Sequence, residues 1–214
     1  MKFLHRPLAL LLATTAFFSA SAGEKPGQIL IEARFIATPI KAADNLLLPA
    51  NLLAGKIHSA ILTATEAARL LKEFETQAGT DILSTPRVTT LSGRQAKVAV
   101  LHRQTILSLG EVETGVTLDL LPTVAQGGIE LTAMAKLTEF NGYEKTAKPK
   151  PVFLVRGSET KVTLADGGYL LIALQPMDVP AGAAAAKPQD HLFCLVTARF
   201  AAPDGSLLKG SPLK

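Results

Sequence analysis

Few residues in this 214-residue chain combine the type and spacing that covalent chemistry requires. The four histidines are His5, His58, His102 and His191, and none has a second ligand at the short spacings that hold a metal. The single cysteine, Cys194, lies inside the apolar run HLFCLVTARF, where a thiol reads as a buried small hydrophobe rather than a nucleophile. Glu32 with Arg34, and Glu159 with Lys161, are i,i+2 pairs on one face of a strand, ordinary surface charges rather than a general acid/base couple. The motifs G-x-S-x-G, H-E-x-x-H, G-x-x-x-x-G-K-[ST] and G-x-G-x-x-G do not occur. No catalytic, cofactor-binding or metal-ligating residue is therefore assigned, and no cofactor. The chemistry on offer is that of backbone edges and apolar faces, so the elements that carry them decide the reading.

Composition narrows the classes. Hydrophobic residues make up 48% of the chain and charged residues 19%, too apolar and too weakly charged for a disordered segment. Lys2, His5 and Arg6, then the apolar stretch Leu8–Phe18, then Ala20-Ser21-Ala22 form the three zones of an export signal over residues 1–22. Beyond it, 20 basic residues face 18 acidic ones, too small and scattered an excess for a nucleic-acid face. One cysteine excludes an internal disulfide and any multi-cysteine redox motif.

Periodicity supplies the elements. QILIEARFIAT (Gln28–Thr38) alternates with Leu30 and Ile36 interrupting its polar side, which predicts a strand covered on both faces. Ile40–Gly55 has no period and reads as a loop with one short turn. Thr63–Gly79 is the one clear helix. Thr63 and Glu66 make a capping box, Ala67, Leu70, Leu71, Phe74 and Ala78 share one face, and Gly79 is placed to end it. From Asp81 onward strands and turns alternate. Ile82–Leu91 and Gln95–His102 are expected to flank a Ser92–Arg94 hairpin loop, and Thr114–Val124 and Ile129–Phe140 a Gln126–Gly128 loop. Asn141-Gly142 is expected to turn the chain, and Thr160–Leu164 and Tyr169–Leu174 to flank Asp166–Gly168. Pro180–Pro188 reads as a low-complexity linker and His191–Phe200 as the last strand. The fold class is mostly β (α+β): an antiparallel sheet of about eight or nine strands with one amphipathic helix packed on it. Pro86 is expected at a strand edge or bulge, and Gly115 at a bulge or bend.

Five of these segments, in this order, resemble the core domain of bacterial secretins, the multimeric outer-membrane channels of type II and type III secretion and of type IV pili. They are Gln28–Thr38, Ile82–Val100 (ILSTPRVTTLSGRQAKVAV), Val112–Val124 (VETGVTLDLLPTV), Glu159–Leu174 (ETKVTLADGGYLLIAL) and His191–Gly205 (HLFCLVTARFAAPDG). The resemblance implies one secretin-like β-domain over residues 23–208, followed by a tail at 209–214. It implies a non-enzymatic, exported component of the periplasm and outer membrane. The partners it implies are further copies of itself or a full-length secretin, with other envelope secretion or pilus proteins, association with the outer membrane, and no nucleic acid. Departures accompany it: only Gly23–Gly27 precedes the first strand where ring-building domains are usual, LHRQTILSLGE between Val100 and Val112 is short for a gate hairpin, Ile40–Lys56 is short for the usual insertion, and a short tail, Ser206–Lys214, follows the last strand. They keep a second expectation open, a soluble periplasmic adaptor that retains the fold without a pore. Ile129–Phe140 has the length of a transmembrane strand.

Overall fold

A computed structural model describes residues 27–44, 46–106, 109–177, 190–202, 204 and 206–208. The expected export signal, the Pro180–Pro188 linker and the tail from 209 lie outside the described residues.

The chain opens with β1 (Gln28–Pro39), which Pro39 ends as expected. Two short helices follow, α1 (Ile40–Ala43) and α2 (Ala50–Leu53), where the sequence suggested only a turn. Their cause is burial: Leu46, Leu48 and Leu52 pack against Ile36 and Phe193, a tertiary pull that leaves no local period. A four-residue strand, β2 (Ser59–Leu62), also escapes sequence patterning. Next comes α3 (Ala64–Thr76). Its N-terminus is the expected capping box. The Thr63 hydroxyl accepts from the Glu66 backbone N–H at 3.2 Å, and the Glu66 carboxylate accepts from the Thr63 N–H at 2.8 Å. Ala67, Leu70 and Phe74 are buried, while Leu71 is half-buried and Ala78 exposed. The helix stops short of Gly79. It caps at Gln77, and Gly79, at φ 81°, closes a turn in which the Thr80 N–H donates to the Gln77 carbonyl.

The rest is strand: β3 (Asp81–Ser84), β4 (Arg87–Leu91), β5 (Ala96–Ile106), β6 (Gly110–Ala125), β7 (Gly128–Tyr143), β8 (Pro151–Leu164), β9 (Tyr169–Met177) and β10 (Asp190–Ala201). All pairings are antiparallel, as expected for the class. β1 lies between β10 on one side and β3 and β4 on the other, β10 pairs β9, and β9 pairs β2. β5, β6, β7 and β8 run as a meander. The two groups join through three residue pairs, Val155↔Met177, Arg156↔Pro176 and Gly157↔Gln175. Past that junction β8 stays with β7 while β9 follows β10 and β2, so one continuous sheet folds over into two facing layers.

The core fills the space between the layers. Ile29, Ile31 and Phe35 of β1, Leu118 and Leu120 of β6, Ile129 and Leu131 of β7, and Cys194 and Val196 of β10 are all buried in it. The other face of the first layer carries the helices. Ile36, Leu171, Phe193 and Leu195 meet Leu70 and Phe74, with the Phe74 and Phe193 rings 5.8 Å apart. β1 is thus buried on both faces, and this is why Leu30 and Ile36 interrupt its alternation.

Four expectations are corrected. Ile82–Leu91 is broken at Thr85-Pro86 into β3 and β4, where the Pro86 carbonyl accepts from the Ala33 N–H at 2.9 Å. Proline has no N–H for the ladder, so the strand divides there. Neither half forms a hairpin with β5: both pair β1 while β5 pairs β6, so Ser92–Arg94 carries the chain from one layer to the other. Asn141-Gly142 is a bulge rather than a turn. Gly142 takes φ 82°, but Phe140↔Phe153 pairing and the Phe140–Tyr143 ring contact at 5.4 Å carry the ladder on to Tyr143↔Pro151. β8 accordingly starts at Pro151 instead of Thr160. Finally, Asp166–Gly168 does make a turn, with the Gly168 N–H donating to the Ala165 carbonyl, yet its flanking strands part into different layers.

Candidate functional site

The chemistry-capable side chains are dispersed and individually partnered. Glu32 pairs with Arg87 at 3.0 Å and Arg34 lies 4.0 Å from Glu75, so the i,i+2 neighbours do not address each other. Lys161 meets Glu130 at 3.0 Å, not Glu159. His102 is exposed on β5, His191 is the second residue of β10 beside the Phe193 ring, and the His58 carbonyl, just ahead of β2, accepts from the Ala173 N–H within β9. Cys194 is fully buried in the inter-layer core, and desolvation pushes its thiol far above the ordinary range. Among the described residues no three His, Cys, Asp or Glu side chains gather at metal-binding distance.

What the fold does present is an open border. The strand order begins at β3 and ends at β5, and neither has a partner on its outer side among the described residues. At one end the gap is closed. The Gly93 N–H donates to the Pro122 carbonyl at 2.8 Å, and the Ser92 hydroxyl accepts from the Val124 N–H at 2.9 Å. Toward the other end the borders diverge around a cavity of about 280 Å³, lined by Leu83 and Ser84 on one side and by Val100, His102, Val116 and Phe140 on the other. Ile82, Leu83, Val100 and Leu101 are 39–45% exposed along these two borders. A row of unpaired backbone groups flanked by uncovered aliphatic side chains is a template for a further strand. Gly115 shapes the same seam. It takes φ 133°, and a Cβ there would collide with the Val100 carbonyl oxygen. The β5–β6 ladder keeps its register through this point, so the glycine serves close strand approach and not the expected bulge.

The second layer's outward face is polar. Lys97 with Asp119, Arg103 with Glu113, and Lys161 with Glu130 pair across strands, with Thr117, Thr132 and Thr163 between. Ile129, Leu131, Ala133, Ala135 and Leu137 of β7 instead point into the core. The segment with transmembrane length therefore turns no apolar face outward.

At the open end, where β7 and β8 leave the body, one buried charge ties three strands. Arg156 is 3% exposed. It donates to Glu139 at 2.7 Å and to Asp190 at 2.9 Å, joining β8 to β7 and to the start of β10. Its Nε has no partner among the described residues. Sequence patterning missed this residue because Asp190 is distant in the chain and Glu139 looks like a surface charge.

Residues 74–173, from within α3 through most of β9, match the secretin family model, described as bacterial type II and III secretion system protein. No curated protein matches the chain. It is similar to the type II secretin GspD of enteropathogenic Escherichia coli, at 14% identity over 83% of this chain and 70% of that one, with a TM-score of 0.44. It is also similar to GspD of the E. coli K12 type II secretion system (16% identity, 84% and 51% covered, TM-score 0.47). A third similar structure is the type IV competence pilus secretin PilQ of V. cholerae (11%, 82% and 61%, TM-score 0.44). The chain spans about half to 70% of the length of these structures.

Proposed function

We propose that this protein is a non-enzymatic secretin-like component of a bacterial protein secretion or type IV pilus system, exported and acting by β-domain assembly at the outer membrane. The observation that carries the reading is that two borders, β3 and β5, have no outer partner among the described residues and carry uncovered aliphatic side chains. Pairing β5 of one copy with the β3 side of the next, or with a full-length secretin, satisfies both borders and closes a ring by head-to-tail contacts. The secretin-family match over residues 74–173 supports the same reading. The test is to express the full chain with its leader, fractionate the envelope and size the extract. Assembly predicts a discrete oligomer that Leu83→Lys with Val100→Lys reduces to monomer, with no change in urea midpoint because both positions are exposed. A parent protein that stays monomeric at every concentration refutes it.

A second reading, a soluble periplasmic adaptor that keeps the fold without a pore, is favoured by the polar, ion-paired outward face of β5–β8. That face is content in water. A detergent-free monomer that binds one purified envelope secretion or pilus protein supports the adaptor and excludes the ring.

A further inference from the structure

α3 covers the outward face of the first layer at Leu171, Phe193 and Leu195, and beside the helix that face turns polar. One row of side chains crosses four strands there: Arg87 of β4, Glu32 of β1, Thr197 of β10 and Tyr169 of β9 are register partners in turn. Arg34 stands two residues along β1, on the same face. These five residues line a second cavity of about 280 Å³, whose apolar walls are Leu71 of α3, Leu195 of β10 and Pro86. Pro86 helps to open it. The break between β3 and β4 leaves Thr85 outside the ladder, exposed and lining the cavity. Donors outnumber acceptors in this space. The Arg87 Nε lies 3.0 Å from Glu32, and no other carboxylate reaches its guanidinium among the described residues. Arg34 has only a 4.0 Å contact with Glu75, between two exposed side chains. The Thr197 hydroxyl is committed to the Gly168 carbonyl at 3.1 Å, whereas the hydroxyls of Thr85 and Tyr169 have no hydrogen-bond partner among the described residues. Two positive charges thus line the cavity against one negative charge, Glu32.

We infer that this cavity binds a carboxylate carried on a short aliphatic body, with Arg34 and Arg87 holding the carboxylate and Leu71, Leu195 and Pro86 covering the body. Guanidinium groups present paired N–H donors in a plane that matches a carboxylate. An excess of one positive charge balances a monoanion and leaves a dianion overmatched. Glu75 gives way at little cost, because an exposed ion pair at 4.0 Å is weak and its carboxylate regains water once released. Size sets the rest. The volume stands at the small end of ligand sites, which begin near about 300 Å³, so it takes one compact group and not a long chain. A free short-chain acid and the last residue of a protein chain both present this chemistry. The cavity opens on the helix-bearing face, on the far side of the layer from the inter-layer core, so a single copy carries it whether or not the strand borders pair.

The test is a ligand-observed NMR titration of the purified full chain with N-acetyl-leucine, N-acetyl-leucinamide, inorganic phosphate, and a capped tripeptide ending in leucine. N-acetyl-leucine is expected to bind, less tightly as salt rises, and its amide at least about tenfold more weakly. Arg34→Gln and Arg87→Gln each weaken the binding of N-acetyl-leucine about tenfold. Both side chains are exposed, so the urea midpoint stays where it was. Glu32→Gln removes the competing carboxylate from Arg87 and tightens binding, by up to about fivefold, which a merely structural role for Glu32 would not do. Arg103→Gln on β5, a loss of charge elsewhere, leaves binding unchanged. A tripeptide acid that binds more tightly than N-acetyl-leucine assigns the carboxylate to the end of a protein chain, and one that binds no better assigns it to a free acid. Equal binding of the amide or of phosphate, no binding of either acid, or arginine variants that bind like the parent overturn the inference. So does an Arg34→Gln chain of altered oligomeric size, since the cavity then belongs to a contact between copies. Failure of the edge reading shows separately, as a monomer on sizing that still binds N-acetyl-leucine.

Discussion

Replacing Arg156 tests whether the hairpin is tied to the body by charge or merely by its ladder. The guanidinium is 3% exposed and serves two carboxylates, Glu139 at 2.7 Å and Asp190 at 2.9 Å. Removing one member of a buried pair costs about 3–5 kcal/mol when the partner is stranded out of water. Here the partners are 42% and 33% exposed, so each regains hydration once released, and the cost falls below that range, to about 2–3 kcal/mol for Arg156→Ala. Arg156→Met keeps the packed stem and isolates the ionic part, expected at about 1–2 kcal/mol. The assay is urea unfolding followed by circular dichroism, with the m-value checked for constancy. Hydrogen exchange of the amides at the start of β10 then locates the loosening. The cycle is completed with Glu139→Gln/Asp190→Asn, in which Arg156→Met loses most of its effect; a coupling above about 0.5 kcal/mol marks a real interaction. If Arg156→Ala shifts stability by less than about 0.5 kcal/mol, or costs the same with and without its carboxylates, the clamp does not hold these strands together.

Three other expectations follow from single residues. Gly115→Ala puts a Cβ against the Val100 carbonyl at a φ of 133°, which destabilises by about 2–4 kcal/mol in urea and loosens the β5–β6 ladder in hydrogen exchange. Cys194 is buried with its thiol held protonated, so reaction with a thiol reagent proceeds at the rate of opening and rises with urea; prompt labelling of the native protein disproves its burial. The Thr63 backbone N–H, and secondly its hydroxyl, hold the Glu66 carboxyl below the usual carboxylate range. A depressed folded-state value contributes stability above the ordinary glutamate range, and this is lost as pH falls through the depressed value. Acid titration of the parent against Glu66→Ala, read by helical circular dichroism, shows this as a small difference that vanishes at low pH.

The sequence carried those parts of the fold whose cause is local. The Thr63–Glu66 box and the apolar stripe of α3 announce themselves within a few residues. β6 and β7 alternate because one face of each meets a core and the other meets water. Features decided by distant partners left no mark. The apolar, aperiodic Ile40–Gly55 becomes two helices only because Ile36 and Phe193 wait beneath it. Ser59–Leu62 is a strand because β9, once parted from β8, offers it an edge. Asn141-Gly142 looked like a turn on local grounds, and two phenylalanines on opposite strands overrode it. Of the assembly borders, the strand types were legible but their pairing was not, since nothing in Ile82–Leu91 says that its partner is β1 and not β5. The clamp at Arg156 was invisible for the same reason.

The meander gives this domain a direction. The tight connections, Ser92–Arg94 between β4 and β5 and Gln126-Gly127 between β6 and β7, both lie at the end where the seam is sealed. The connections from β5 to β6, from β7 to β8 and from Met177 to Asp190 all leave from the opposite end. One end is therefore a fixed floor and the other an open workshop. A hairpin there can be lengthened, shortened or given a new loop by adding residues in pairs, one to each strand, while every register below stays as it is. A tag or a foreign peptide grafted between Lys145 and Lys150 should leave the floor untouched, and a family of such chains can vary its reach without renegotiating its core.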